Sequence, residues 1–186
     1  TSSELVSSMM TTKAVLNFYQ KGSVEISVSP AQKTAYDLLS VLESGHRICD
    51  EGFINGLWFA NVKSLMFMIA STVPQGEFQL ILKRLTHLEC TTSLNAANQI
   101  WLKIFEAINQ ENDQQVVLWV DHFFNTGHPD IKTNRDYLFA LKWISLLNLN
   151  QPQKIVAEWE AAKIQQPHLM LQLVIAHAKL RQAANQ

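Results

Sequence analysis

Apolar residues recur at helical spacing along most of this chain, and this periodicity constrains the fold more than any other feature. The clearest segment places its apolar residues on one helix face at i, i+3, i+4 and i+7 spacing: Ala97, Ile100, Trp101, Ile104, Phe105 and Ile108. Residues 24–28 alternate like a strand, but no second alternating run is present to pair with them. We therefore interpret 24–28 as an extended connector and predict an all-α fold.

Prolines, glycines and polar clusters divide the chain into a series of predicted helices. Their bounds are about 3–19, 30–44, 53–71, 77–89, 97–108, 116–124, 133–149, 152–162 and 167–184. Pro152 and Pro167 are each expected to be the first residue of a helix, where a missing N–H costs nothing. Because the links are short, consecutive helices should pack as antiparallel neighbours, which gives stacked helical hairpins.

The domain organisation follows from the same pattern. The chain has 186 residues, 47% of them hydrophobic and 17% charged, so it can bury a substantial core without a disulfide or a metal. The apolar stripe of the first helix is incomplete, and we assign residues 1–29 to an N-terminal helical arm and its extended connector. Residues 30–186 are predicted to form one helical-repeat domain.

Three residues near the end of the chain carry a family resemblance. Tetratricopeptide-type repeats have an aromatic residue, a small residue and a proline at the spacing of Trp159, Ala162 and Pro167. In addition, Pro129 lies 38 residues before Pro167, which is close to the length of one such repeat. On this basis residues 94–182 resemble a degenerate tetratricopeptide-like array. The resemblance implies a right-handed stack of helix pairs in which the first helix of each pair lines a concave groove that binds other proteins.

The chain also departs from that family pattern. Trp143 and Ile155 stand where the family has small residues, and Asp121 and Phe124 occupy the aromatic and small positions of the preceding unit. Residues 1–93 alternate helices without the motif. An irregular array of helix pairs is therefore an equal alternative to true repeats.

Charge and hydropathy argue against nucleic-acid binding and against a membrane span. The net charge is −1 and no basic run occurs, so we expect this segment not to bind nucleic acid. The most apolar run, residues 57–70, is shorter than the roughly 20 residues of a membrane span and contains Lys63.

Cys49 and Cys90 lack a CxxC partner, and we expect free thiols in the cytoplasm, with a disulfide between them as the alternative.

No group of reactive residues has the pattern of a catalytic, cofactor or metal site. His46, Cys49 and Asp50 can share a helix face but lack a second pair of metal ligands, and His87, Glu89 and Cys90 lack the P-C-x-x-C partner of zinc deaminases. Asp121, His122 and His128 are interpreted as caps or solvent contacts near a turn. Since Gly-rich phosphate loops are also missing from the sequence, we predict neither an enzyme nor a cofactor.

The favoured function is a protein–protein interaction module, a scaffold or the regulatory part of a larger bacterial-type regulator. The chain does not begin with Met, which fits a fragment. The predicted groove positions are polar residues at i, i+3 or i+4 spacing, expected to be exposed: Gln99, Lys103, Glu106, Lys142, Ser145 and Asn148.

Two alternatives stay open at this point. One is a small-molecule sensor or enzyme with a pocket inside the helical bundle. The other concerns the apolar helix at 53–71, where Trp58, Phe59, Met66 and Met68 are interpreted as core but could instead form a lipid- or partner-binding surface.

Overall fold

The computed structural model describes residues 39–40, 42–43, 50–86 and 94–186, and the regular structure in them is helical. Helix α1 begins as Glu51–Phe53, passes through a π-helical turn at Ile54–Trp58 and continues as Phe59–Ile69. The later helices are α2 Gln75–Thr86, α3 Ala96–Asn109, α4 Asp113–Asn125, α5 Asp130–Asn148, α6 Pro152–Ala162 and α7 Leu169–Ala184. The predicted all-α class is thus confirmed over these ranges. The predicted arm and connector at 1–29 lie outside them.

The chain divides into two compact units, Thr1–Glu111 and Asn112–Gln186. In the first unit, α1 and α2 each pack against α3. Phe67 of α1 contacts both Trp101 and Phe105 of α3 edge-on, with ring centroids 5.7 and 4.7 Å apart. Trp58 is also buried, and its Nε1 donates a hydrogen bond of 3.1 Å to the Leu42 carbonyl. Trp58, Phe59 and Phe67 of α1 are therefore core, and the interpretation of Trp58 and Phe59 as core is confirmed.

In the second unit, each helix packs against its successor. Helix α4 packs on α5 and α6 packs on α7, while α5 also contacts both α6 and α7. Consequently the middle of α5 is covered on several sides. Residues 140–147 are all buried, although the helix has polar residues within that stretch. A helix that packs against three other helices cannot have a solvent-exposed face along its centre.

Side chains cap the starts of α1, α3, α4 and α7, and the predicted start of α7 is wrong. Pro152 opens α6 as expected. Pro167, in contrast, lies before α7, whose N-cap is His168 with Nδ1 accepting from the Met170 N–H at 3.1 Å. The reason lies in the preceding link, where Lys163 and Gln166 have positive φ angles of 47° and 49° and the chain is not helical.

The described residues include no helix that is both long and apolar enough to cross a membrane. This finding agrees with the prediction made from the 57–70 run. Most of that run is buried within α1, although Leu57 is 67% exposed.

Candidate functional site

Helices α4, α5 and α6 line an open cleft of about 330 Å³ in the second unit. We call it the Lys142 cleft. Its lining residues are Gln114, Val117 and Asp121 from α4; Lys142, Leu146 and Leu149 from α5 and its end; and Gln151, Lys154 and Glu158 from the next link and α6. The cleft therefore combines amide, charged and apolar side chains from three elements.

Lys142 joins the three helices that form the cleft. Its Nζ lies 2.6 Å from Asp121 Oδ1 on α4 and 2.6 Å from Glu158 Oε2 on α6. The residue is only 9% exposed, whereas the side chains of Asp121 and Glu158 are 46% and 28% exposed. The cation is thus largely shielded from solvent, and its two carboxylate partners reach the surface of the cleft.

A tryptophan fixes the second oxygen of Glu158. The Nε1 of Trp143, a fully buried residue, donates a hydrogen bond of 2.9 Å to Glu158 Oε1. The Trp143 ring also meets Trp159 edge-on, with centroids 6.3 Å apart. Glu158 is therefore positioned through both carboxylate oxygens, one by Lys142 and the other by Trp143.

The electrostatics of the cleft keep Lys142 charged. Burial alone would lower its pKa, but the hydrogen bonds and negative charges of Asp121 and Glu158 outweigh burial and raise the pKa above the ordinary value of 10.5. A lysine acts as a nucleophile or base only after losing its proton, which requires the opposite shift. Lys142 is therefore suited to structure and recognition rather than to covalent chemistry.

Two of the predicted groove residues on α5 are not on the surface. Lys142 is 9% and Ser145 0% exposed, so the expectation that both are exposed is wrong. The cause is the burial of the centre of α5 by its neighbours described above. Asn148, near the end of α5, is exposed as expected, and its Nδ2 donates to Asp113 Oδ1 at 3.1 Å. Of these three residues, only Lys142 lines the cleft.

The predicted groove residues on α3, unlike those at the centre of α5, are at least partly exposed. Gln99 and Lys103 are exposed and Glu106 is half-buried. Lys103 and Glu106 line a second open cleft, of about 450 Å³, in the first unit, together with Gly76, Gln79, Leu80, Leu82, Lys83 and Thr86 from α2. Gln79 Nε2 lies 3.5 Å from Glu106 Oε2 across it. Gln99 lies outside this cleft and donates to the Leu94 carbonyl at 2.8 Å.

The residues behind the family resemblance pack only in part as the sequence suggested. Ile155 is fully buried and Trp159 is half-buried, but Ala162 is exposed. Ala162 is the last residue of α6 and directly precedes Lys163, which has a left-handed conformation. The small residue of the motif therefore lies at the exposed end of α6.

Most residues considered for metal binding lie outside the described part of the chain: His46, Cys49, His87, Glu89 and Cys90. Asp50 is described, and its side chain accepts the Phe53 N–H at 2.8 Å as the N-cap of α1. In the ranges that the structure covers, no three His, Cys, Asp or Glu side chains are grouped as metal ligands.

Neither Asp121 nor Glu158 was predicted from the sequence to be a site residue. Asp121 was interpreted as a cap or solvent contact, and Glu158 was not singled out. One signal could have found them, because a lysine in the apolar centre of a helix is rarely buried without a carboxylate partner. That rule predicts an acidic partner for Lys142, but it does not say which neighbouring helix supplies it.

A scan against protein-family models gives no match, and searches of curated proteins and of solved structures find no similar protein. Function is therefore inferred from the geometry of the described residues.

Proposed function

We propose that this chain is a protein–protein interaction module, an irregular tetratricopeptide-like array of helix pairs that binds a segment of another protein. In the second unit, the binding site is the Lys142 cleft. The observation that supports this proposal most strongly is the fixed geometry of an open cleft, in which one buried lysine links the helices on both sides.

The side chains of the cleft suit a polypeptide ligand. Gln114 and Gln151 offer carboxamides, which can donate to and accept from a peptide backbone. Val117, Leu146 and Leu149 supply apolar contacts. A mixture of apolar and polar side chains is typical of protein interfaces.

The charges of the cleft suggest which segment would bind. The carboxylate of Asp121 is 46% exposed, so it can still accept hydrogen bonds from a ligand while it is paired with Lys142. A lysine or arginine of the partner would find a ready acceptor there. We infer that the bound segment carries an apolar side chain followed or preceded by a basic one.

This proposal places the chain in regulation or scaffolding. A module that only binds would act by bringing the partner to another protein or domain. Because the lysine of the cleft is held protonated by its two carboxylates, the cleft is better equipped for recognition than for catalysis.

Quantitative affinity capture from cells tests the assignment of the cleft. In the variant Gln114→Ala/Lys154→Ala, two exposed residues that line the cleft lose their polar groups. We expect the affinity for a partner captured by the wild type to fall by about fivefold or more, since the lost polar contacts across an interface cost about 1–3 kcal/mol together. Gln115→Ala/Gln153→Ala is the matched control, because these residues are exposed on the same helices but do not line the cleft.

The same experiment includes the second cleft. Lys103→Ala/Glu106→Ala removes the two predicted groove residues that line it. If the partner depends on these two residues and not on Gln114 and Lys154, the site lies in the first unit. Capture that is equal for all three variants and the wild type would contradict both cleft assignments.

A further inference from the structure

Helix α7 carries an apolar stripe on its exposed side. Leu169, Leu173, Ala176 and Leu180 are spaced at i, i+4, i+7 and i+11, and the three leucines are 66%, 54% and 72% exposed. We call these four residues the α7 stripe. The opposite side of the helix is buried in the second unit through Met170, Leu171, Val174, Ile175 and Ala178. A helix that is apolar on both sides is normally covered on both, which marks the stripe as an interface.

The spacing of the stripe is that of a seam between two helices. Alternating steps of four, three and four residues are those of consecutive d and a positions in a heptad, as in left-handed helix pairs. The order of these steps is the same in both directions along α7. An antiparallel copy related by a two-fold axis between residues 174 and 175 therefore places Leu169 against the partner's Leu180, and Leu173 against the partner's Ala176. Leucine then faces leucine at the two ends of the stripe, and leucine faces alanine at its centre.

The polar residues beside the stripe are compatible with this pairing. Gln172 and Lys179 are exposed and directly precede Leu173 and Leu180, so both flank the stripe on the same side. In an antiparallel seam these flanking positions face each other, which brings Lys179 next to the partner's Gln172 and not next to the partner's Lys179. The helix dipoles are also antiparallel in this arrangement. Self-pairing thus creates no adjacent like charges.

We propose that the α7 stripe mediates a reversible, two-fold symmetric dimer of this chain with antiparallel α7 helices. The stripe spans about 17 Å along the helix axis. A single helix pair of that length covers less than the about 1,600 Å² of a standard interface, a size typical of weak, reversible contacts. The stripe shares no residue with the Lys142 cleft, and the dimer therefore does not depend on the proposed function.

Sedimentation equilibrium of the full chain across the micromolar range tests the dimer. The wild type is expected to shift from monomer to dimer with concentration. Leu173→Glu places a carboxylate in the centre of the seam and is expected to weaken dimerisation by about tenfold or more. Because Leu173 is exposed in the monomer, the variant should unfold at the temperature of the monomeric wild type. Leu118→Glu, at a leucine of α4 that is 44% exposed and lines neither cleft, is the matched control and should dimerise like the wild type.

A second pair of variants tests the antiparallel register. Ala176→Lys alone should also be monomeric, while a mixture of Ala176→Lys with Leu173→Glu should form a heterodimer, since the new charges then face each other. A wild type that remains monomeric throughout, or a Leu173→Glu variant that dimerises as well as the wild type, would overturn the proposal. A monomeric wild type whose cellular partner is lost in Leu173→Glu would overturn it too, and would assign the stripe to a different protein.

Discussion

At the scale of single residues, Lys142 determines how the α4 and α6 walls of the cleft meet α5. Its ammonium group bonds to one carboxylate on each of the two flanking helices at 2.6 Å. Removing a lysine from water is costly, and the two ion pairs offset that cost without a large surplus. The consequence is specificity of arrangement, because a shifted α4 or α6 would leave the buried charge unpaired.

The pH dependence of stability should show this cluster. A pKa raised in the folded state means that the folded protein holds the Lys142 proton more tightly than the unfolded chain does. The stabilisation is therefore fully present below the ordinary lysine pKa of 10.5 and is lost as the pH rises through the raised value. We expect Lys142→Met to be less stable than the wild type by about 1–3 kcal/mol at neutral pH, and this difference to shrink above pH 10.5. Urea denaturation of both proteins from neutral to alkaline pH measures it.

The loss of stability expected for Lys142→Met is smaller than that for breaking a fully buried ion pair, because Asp121 and Glu158 are partly solvated. The control is the triple variant Lys142→Met/Asp121→Asn/Glu158→Gln, which removes the carboxylate repulsion left by the single change and should recover part of the lost stability. A Lys142→Met protein as stable as the wild type at neutral pH, or a difference that does not change with pH, would contradict this account of the cluster.

The residue scale is also where the sequence was least informative about the site. Helical spacing singled out Lys142 as a polar position but predicted that its side chain is exposed. This prediction was wrong because the sequence of one helix does not show which other helices pack against it. Its partner Glu158 is 16 residues away and belongs to another helix. Pairing of this kind depends on packing between helices, which periodicity along one helix does not encode.

At the scale of elements, the helices themselves were largely predictable. Apolar periodicity identified α3 and α4, and Pro152 correctly marked the start of α6. The predicted helix bounds are wrong where tertiary contacts, rather than the local sequence, determine where a helix begins. Pro167 was expected to begin α7, but His168 caps that helix, and the His168 N–H also donates to Asp136 Oδ2 at 2.6 Å. A tertiary hydrogen bond from α5 thus helps to set where α7 begins.

The end of α6 provides a prediction at this scale. Lys163 caps α6 in the left-handed conformation, with φ 47° and ψ 48°, which glycine adopts without steric cost. Lys163→Gly is therefore expected to stabilise the protein by about 0.5–1 kcal/mol, although the greater freedom of glycine in the unfolded chain reduces the gain. Thermal denaturation measures the change.

The control for this prediction is Glu160→Gly, an exposed position inside the same helix. There glycine should destabilise the protein by about 1 kcal/mol, because it gains no conformational advantage and loses helix propensity. If both substitutions destabilise to the same extent, the left-handed geometry of Lys163 is not a source of strain.

At the scale of the whole molecule, two compact units each present an open cleft. The polar positions singled out in the sequence contribute Lys103 and Glu106 to one cleft and Lys142 to the other, whereas the remaining three line neither cleft. The composition of the clefts, with carboxamides and apolar groups beside paired charges, supports recognition of another polypeptide. The central claim is that the Lys142 cleft is such a recognition site.

Site-specific photo-crosslinking in cells tests that claim most directly. A benzophenone amino acid replaces either Gln114, which is exposed and lines the Lys142 cleft, or Gln115, which is exposed on the same helix but does not line it. We expect the probe at position 114 to cross-link a partner protein and the probe at position 115 to give little or none of the same product. Equal cross-linking from both positions, or cross-linking from 115 alone, would contradict the assignment of this cleft as the binding site.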